Sequence, residues 1–282
     1  MLVGGVSQGM EFINSLAPIW KEANADLLMV RIGASDITRA SFLKLAQAQE
    51  EHQLRVLLHP ADDTSSISFT PSDPSCHPLL LQKLSFLADS INEHGFHPLI
   101  ILHPPRIATP GQTLCGKEVL PESEALKNSL PFFSKLAILQ EEKQVPFSIE
   151  IMHDPFRHHG HAILGYTVEQ MRALCTEKFS ICIDTGHAKL SQTSVGAWLE
   201  SGLKISAVHF QGNDGSTDSH ELPNSSNVGD VSDIERLLAL QAPTILECNS
   251  KNLLAQLAKN KKETLALLSE TIELAKEGVV KE

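Results

Sequence analysis

Residues 179–186 read FSICIDTG. Phe179, Ile181, Cys182 and Ile183 run into a lone Asp184, and Thr185-Gly186 follows. A short apolar run rich in β-branched residues and closed by turn residues predicts a strand buried on both faces, as in a parallel sheet. The pattern recurs outward along the chain. Upstream lie LVGGVS (2–7), LLMVRIG (27–33), LRVLLHP (54–60), HPLIILHP (97–104) and FSIEIM (147–152). Downstream lie ISAVHFQG (205–212) and TILECN (244–249). Helical periodicity fills the intervals near 10–23, 36–52, 78–94, 122–143, 167–177, 193–202, 230–240 and 250–277. Asp36 and Thr167 read as N-caps, and Gly95 and Gly202 as helix stops. Eight strands alternating with eight helices imply parallel pairing and right-handed crossovers. The economical solution is an α/β fold, one (β/α)8 barrel over residues 1–282 as a single domain. A doubly wound open sheet is the alternative. The longer loops 61–77, 105–121, 153–166 and 213–229 each follow a strand. In a barrel they would crown the C-terminal face, where active sites sit.

Composition agrees. The chain has 282 residues, and about 250 are typical of such a barrel. Hydrophobic residues make up 42% and charged residues 20%, which fits a folded globular protein rather than a disordered one. The net charge of −11 disfavours bulk binding to nucleic acid or to an anionic membrane. The five cysteines, Cys76, Cys115, Cys175, Cys182 and Cys248, are scattered and never form CxxC. That pattern points to a reducing, cytoplasmic setting. Cys182 and Cys248 fall inside strands and are expected to be buried, inert thiols. The opening MLVGGVSQGMEF lacks the basic and apolar regions of a secretory leader, so none is expected. No apolar run approaches the roughly 18 residues of a membrane helix.

The strand ends carry the chemistry. His59 closes the third run and His103 the fourth. Glu150 lies in the fifth, Asp184 in the sixth with His187 three residues on, and His209 in the seventh. Asp218-Ser219-His220 follows in the next loop, and Glu247 lies in the eighth run. A histidine before proline is an ordinary polar loop residue when it stands alone. A lone carboxylate inside an apolar strand is harder to place, because burying it unpaired costs several kcal/mol. The neighbouring strands offer almost no Lys or Arg as partners. A divalent ion held by oxygen and imidazole satisfies Glu150, Asp184 and Glu247 together. Nine candidate ligands exceed the four to six that one ion takes. Either two or three ions are implied, or some of the nine contact substrate. His153, His158, His159 and His161 crowd the loop after Glu150 and are expected to be solvated. Arg157 in that loop is a candidate for a substrate phosphate or hydroxyl. His52, His77, His94 and His97 are assigned structural roles, and Trp20 and Trp198 packing roles.

SIEIM around Glu150, CIDTGHA (182–188), AVHFQGNDGSTDSHELP (207–223) and ILECN around Glu247 together resemble the xylose isomerase-like TIM-barrel superfamily. It holds sugar isomerases and epimerases together with endonuclease IV-type abasic-site endonucleases. The resemblance to the epimerase branch implies one divalent ion on Glu150, Asp184, His209 and Glu247. The two glutamates would double as acid and base, and His187 would contact substrate. The resemblance to the endonuclease branch implies a three-zinc cluster on all nine positions, adding His59, His103, His187, Asp218 and His220. The favoured reading is therefore a metal-dependent sugar or sugar-phosphate isomerase or epimerase. It would abstract a proton α to a carbonyl and pass through a stabilised enediolate. The alternative is a multinuclear zinc phosphodiesterase of the abasic-site type. A non-catalytic metal-binding barrel is the third reading. Mixed His and carboxylate ligation suits Zn²⁺ or Mn²⁺, with Fe²⁺ or Co²⁺ also compatible, at one to three ions per chain. The expected partner is a sugar or sugar phosphate, with nucleic acid only under the alternative and no membrane.

Overall fold

The computed structural model describes residues 1–60, 71–105, 121–153, 163–191 and 193–280. Eight parallel strands close into a barrel in chain order. They are β1 (Val3–Ser7), β2 (Leu27–Ile32), β3 (Arg55–Pro60), β4 (Ile100–Leu102), β5 (Phe147–Glu150), β6 (Ser180–Asp184), β7 (Ile205–Phe210) and β8 (Thr244–Leu246). The first strand pairs with the second and also with the last, where Val3 lies opposite Thr244. That closure leaves no sheet edge and excludes the open-sheet alternative. The apolar runs are continuous because both faces are covered. Val6, Leu27, Met29, Leu57, Leu99, Ile101, Cys182, Ala207 and Ile245 pack inside the barrel. Val30, Ile32, Leu58, Ile100, Ile149, Ile183, Val208 and Leu246 join the outer core against the helices. The two sets interleave with the period of two that a pleated strand imposes.

The glycines make β1 the least apolar run, and they have a packing reason. A Cβ on Gly5 would fall inside the Trp20 ring. Trp20 is buried on β1 and donates its Nε1–H to the Val6 carbonyl at 3.2 Å.

The helices are α1 (Ile13–Glu22), α2 (Arg39–His52), α3 (His77–His94), α4 (Glu122–Lys143), α5 (Val168–Cys175), α6 (Thr185–Leu190), α7 (Val195–Leu199), α8 (Val231–Leu238) and α9 (Ser250–Glu277). Thr167 caps α5 as expected, accepting from the Gln170 amide at 3.2 Å, and Gly95 ends α3 at φ 63°. Four expectations need correction. Thr38 rather than Asp36 caps α2, accepting from Ser41 N at 3.2 Å, because Asp36 ends a separate 3-10 turn, Ala34–Asp36. The seventh helix stops with Glu200 as its cap, before Gly202. The run 179–186 leaves the sheet at Asp184, whose carboxylate accepts from His187 N at 2.8 Å and starts the short α6. The last helix is two helices joined across a kink at Asn260 (φ −152°, ψ 80°). Asn260 caps the second part, its Oδ1 accepting from Glu263 N at 3.4 Å.

Loop 213–229 lies over the C-terminal end of the barrel. Lys189 pins both of its ends, donating to the carbonyls of Asn213 (2.6 Å) and Asn227 (3.0 Å). Among the described residues, no helix is long and apolar enough to cross a membrane. Cys182 is buried inside the barrel as expected, while Cys248 is buried just past the end of β8 rather than within it. Burial pushes these thiols up to about 11 and about 12, so both are inert at neutral pH.

Candidate metal centre

All nine candidate residues converge at the C-terminal mouth of the barrel. The strand period accounts for this. On β6, Cys182 points inward, so Asp184 does too, and β7 sets His209 beside it in register. On β3, Leu57 points inward and His59 follows two residues later. His59, Asp184 and His209 are fully buried, and Glu150 and Glu247 nearly so.

Three groups of donor atoms result, each with its members within 4.8 Å of one another. Glu150, Asp184, His209 and Glu247 form the central group. There His209 Nδ1 lies 2.9 Å from Glu247 Oε2, 3.1 Å from Glu150 Oε1 and 3.8 Å from Asp184 Oδ2. His59, His103 and Glu150 form the second, with both histidine Nε2 atoms 3.4 Å from Glu150 Oε2. Glu150 therefore faces one group with each oxygen. His153, His187 and Asp218 form the third, and His220 Nε2 joins them at 3.0 Å from Asp218 Oδ2.

The histidine rings are oriented by backbone. The Nδ1 atoms of His59, His187 and His220 sit 2.9, 2.9 and 3.1 Å from the carbonyls of Ile101, Ile151 and Glu247. A carbonyl only accepts, so each Nδ1 carries a proton, and each ring turns its Nε2 toward a carboxylate. This is the outer support that metal-binding histidines usually have. The buried atoms of the centre that find no hydrogen bond among the described residues include His59 Nε2, both ring nitrogens of His209, Glu150 Oε2 and Glu247 Oε2. They approach one another closely, but off the hydrogen-bond direction. Nitrogen and oxygen donors gathered within 4.8 Å of one another without bonding to each other fit a divalent cation.

The electrostatics agree. Burial alone would raise the Glu150 carboxyl, yet His209 and His103 hold it well below the usual carboxylate range. Glu247 is treated the same way by His209 and His220, and Asp218 by His187 and His220. Burial pushes the Asp184 carboxyl up to about 6, against the pull of His187. Burial would depress His187, but Asp184 and Asp218 raise it well above its ordinary value. It would likewise depress His209, which Cys182, Glu150 and Glu247 raise. His59, buried between His103 and Arg31, falls to about 3 despite Glu150.

Three residues were given no role at the centre by the sequence. His153, expected in a solvated loop, instead lies beside His187 with ring centroids 5.2 Å apart and planes tilted by 51°. Gln211 is buried and donates its amide to both Asp184 oxygens (3.1 and 2.9 Å) and to Asp218 Oδ1 (3.3 Å). Its signal was weak, since it reads as one more polar residue after a strand. Arg31 follows the inward-pointing Leu27 and Met29 by the same period of two. Its Nη1 lies 3.6 Å from Glu247 Oε1. That alternation could have placed it. Arg157, together with His158, His159, His161 and Cys115, lies outside the described residues.

No curated protein sequence matches the chain. Solved structures do. D-psicose 3-epimerase from Clostridium cellulolyticum H10, solved with D-tagatose, superposes with a TM-score of 0.72 at 14% identity over 100% of both chains. The 3-keto-D-glucoside 4-epimerase of E. coli gives 0.65 at 14% identity, over 95% of this chain and 98% of that one. A Thermus thermophilus protein, TTHB071, soaked with ZnCl2, gives 0.65 at 18% identity, over 97% and 98%. At these identities the likeness is one of fold. The model of the xylose isomerase-like TIM barrel family matches residues 19–273, which cover strands β2 to β8 and every residue of the centre. The chain belongs to the xylose isomerase-like TIM barrel family.

Proposed function

We propose that the protein is a divalent-metal-dependent isomerase or epimerase of sugars or sugar phosphates. One observation carries the reading. Two buried carboxylates, Glu150 on β5 and Glu247 after β8, approach the same His209 nitrogen at 3.1 and 2.9 Å, with Asp184 closing the group. Glu150, Asp184, His209 and Glu247 would hold the ion. When bound, it supplies an electrophile for the carbonyl oxygen and its neighbouring hydroxyl. Glu150 and Glu247 act as the acid–base pair. One takes the proton α to the carbonyl, and the other delivers a proton drawn from solvent to the opposite face or the neighbouring carbon. The first then returns its proton to solvent, so both carboxylates end the cycle as they began it. His187, fixed by the Ile151 carbonyl, presents Nε2 to a substrate oxygen. The epimerase neighbours support this substrate class. The test is solvent deuterium uptake into a panel of ketoses and their phosphates. Exchange with at least one is expected, and none at all with metal bound counts decisively against the reading.

A second reading is favoured by a specific observation. The donor groups around His59–His103 and around His187–Asp218–His220 have carbonyl-fixed rings beyond what one ion needs. They suit a multinuclear phosphodiesterase of the abasic-site type. Cleavage of abasic-site duplex DNA, lost in Glu150→Gln, tests it. Elemental analysis separates the two centres: about one ion per chain suits the first, and two to three the second.

A further inference from the structure

Among the described residues, one arginine faces the centre, and it is under-used. Arg31 leaves β2 at the level of His59, its partner in register, and turns inward above Leu27 and Met29. Its side chain is only 26% exposed. Among the described residues it has one polar contact, Nη1 to Glu247 Oε1 at 3.6 Å, and no hydrogen bond. A committed Arg–carboxylate pair closes to about 2.7–2.9 Å and is usually bidentate. This contact is neither. Glu247 is engaged elsewhere, with Oε2 on His209 at 2.9 Å. The guanidinium thus keeps its five N–H donors largely unspent in a mostly buried position. Burying a cation without its hydrogen bonds is costly unless a ligand completes them. A guanidinium has no acceptor and cannot discharge, so its natural complement is an oxyanion with two coplanar oxygens.

We infer that Arg31 is an anion subsite that anchors an oxyanion substituent of the substrate, a phosphate or a carboxylate, beside the reacting carbon. The inference rests on the proposed isomerase or epimerase reading and adds the substrate class to it. A carbon held between Glu150 and Glu247 lies next to Arg31, because Glu247 touches both. The substituent therefore belongs close to the reacting carbon, on the Glu247 side of the centre.

Protein as purified, with its metal, is titrated with inorganic phosphate. Wild type is compared with Arg31→Gln and Arg31→Lys, and metal content and melting temperature are recorded for each. Phosphate affinity is expected to fall roughly 10- to 100-fold in Arg31→Gln at unchanged metal content, with Arg31→Lys in between. In turnover, the ratio of kcat/KM for charged over neutral sugars should fall by a similar factor, mainly through KM. Sugar phosphates and uronates run side by side show which oxyanion the subsite takes. Unchanged phosphate affinity in Arg31→Gln, with lower metal content or a shifted pH profile, would overturn the inference and make Arg31 a positioning residue for Glu247. Phosphate binding is read without turnover, so a failure of every sugar to exchange deuterium refutes the reaction and not the subsite.

Discussion

Glu150 joins the candidate centre together, with one oxygen toward His59 and His103 and the other toward His209 and His187. Residues at this scale are legible in sequence when burial makes them expensive. A carboxylate inside SIEIM, ICID or ILEC has no cheap explanation, so Glu150, Asp184 and Glu247 stand out. Gln211 and His153 carry no such cost on paper, and their roles came only from what folded beside them. Gln211 holds both Asp184 oxygens, so Gln211→Leu should weaken metal binding about 10- to 100-fold without unfolding the protein. Chelator competition with parallel circular dichroism checks this, and unchanged affinity would refute the role. Protonation gives a second expectation. His187 and His209 are raised well above their ordinary value by the carboxylates around them, which favours their protonated forms in the metal-free protein. Ligation must displace those protons, so affinity should rise with pH. About one to two protons should leave per ion near pH 7, read by calorimetry in buffers of different ionisation enthalpy. His220 gives the matching stability statement. Its pKa rises to about 9 beside Asp218 and Glu247, against burial. A raised folded value stabilises the metal-free protein fully below the unfolded value of about 6.5, and that contribution is lost as pH climbs through about 9. Thermal melts from pH 6 to 10 should show this loss, at most about 3 kcal/mol, and His220→Asn should abolish it.

At the scale of elements, α6 is the informative piece. Its sequence, TGHAKL, is too short and too glycine-containing to be read as a helix. It exists because Asp184 serves both as a donor of the central group and as the cap for His187 N. The turn brings Gly186 against loop 213–229. A Cβ there would stand 2.6 Å from Gln211 Cδ and 2.8 Å from Asn213 Nδ2. Gly186→Ala should therefore cost about 1–3 kcal/mol by overpacking, and should weaken metal binding by moving Gln211. A melting temperature and a metal affinity both equal to wild type would contradict this. The kink in α9 has the same lesson. Asn260 is an ordinary polar residue in a long periodic stretch until it caps the following turn.

For the whole molecule, barrel closure and the centre are one problem. The nine residues come from the units of β3 to β8, and an ion on Glu150, Asp184, His209 and Glu247 would cross-link four of the eight strands, β5 to β8, at one end. Metal binding to the folded state alone stabilises it by about 4 kcal/mol at a free concentration a thousandfold above Kd. For a chain of this length, chelation should lower the melting temperature by about 7 °C, and the drop should scale with the logarithm of metal concentration. A melting temperature indifferent to metal would remove the centre from the account. Sequence by itself determined the eight alternating units, their parallel order and the strand ends that carry the ionisable groups. Those follow from periodicity and from the cost of burying charge, both local to the chain. Only the tertiary structure decided that the sheet closes and that Glu150 faces two groups. It also decided that backbone carbonyls fix the histidine tautomers, and that Arg31, His153 and Gln211 reach the mouth. These depend on register between strands distant in sequence, and one residue of slip would turn each side chain to the opposite face.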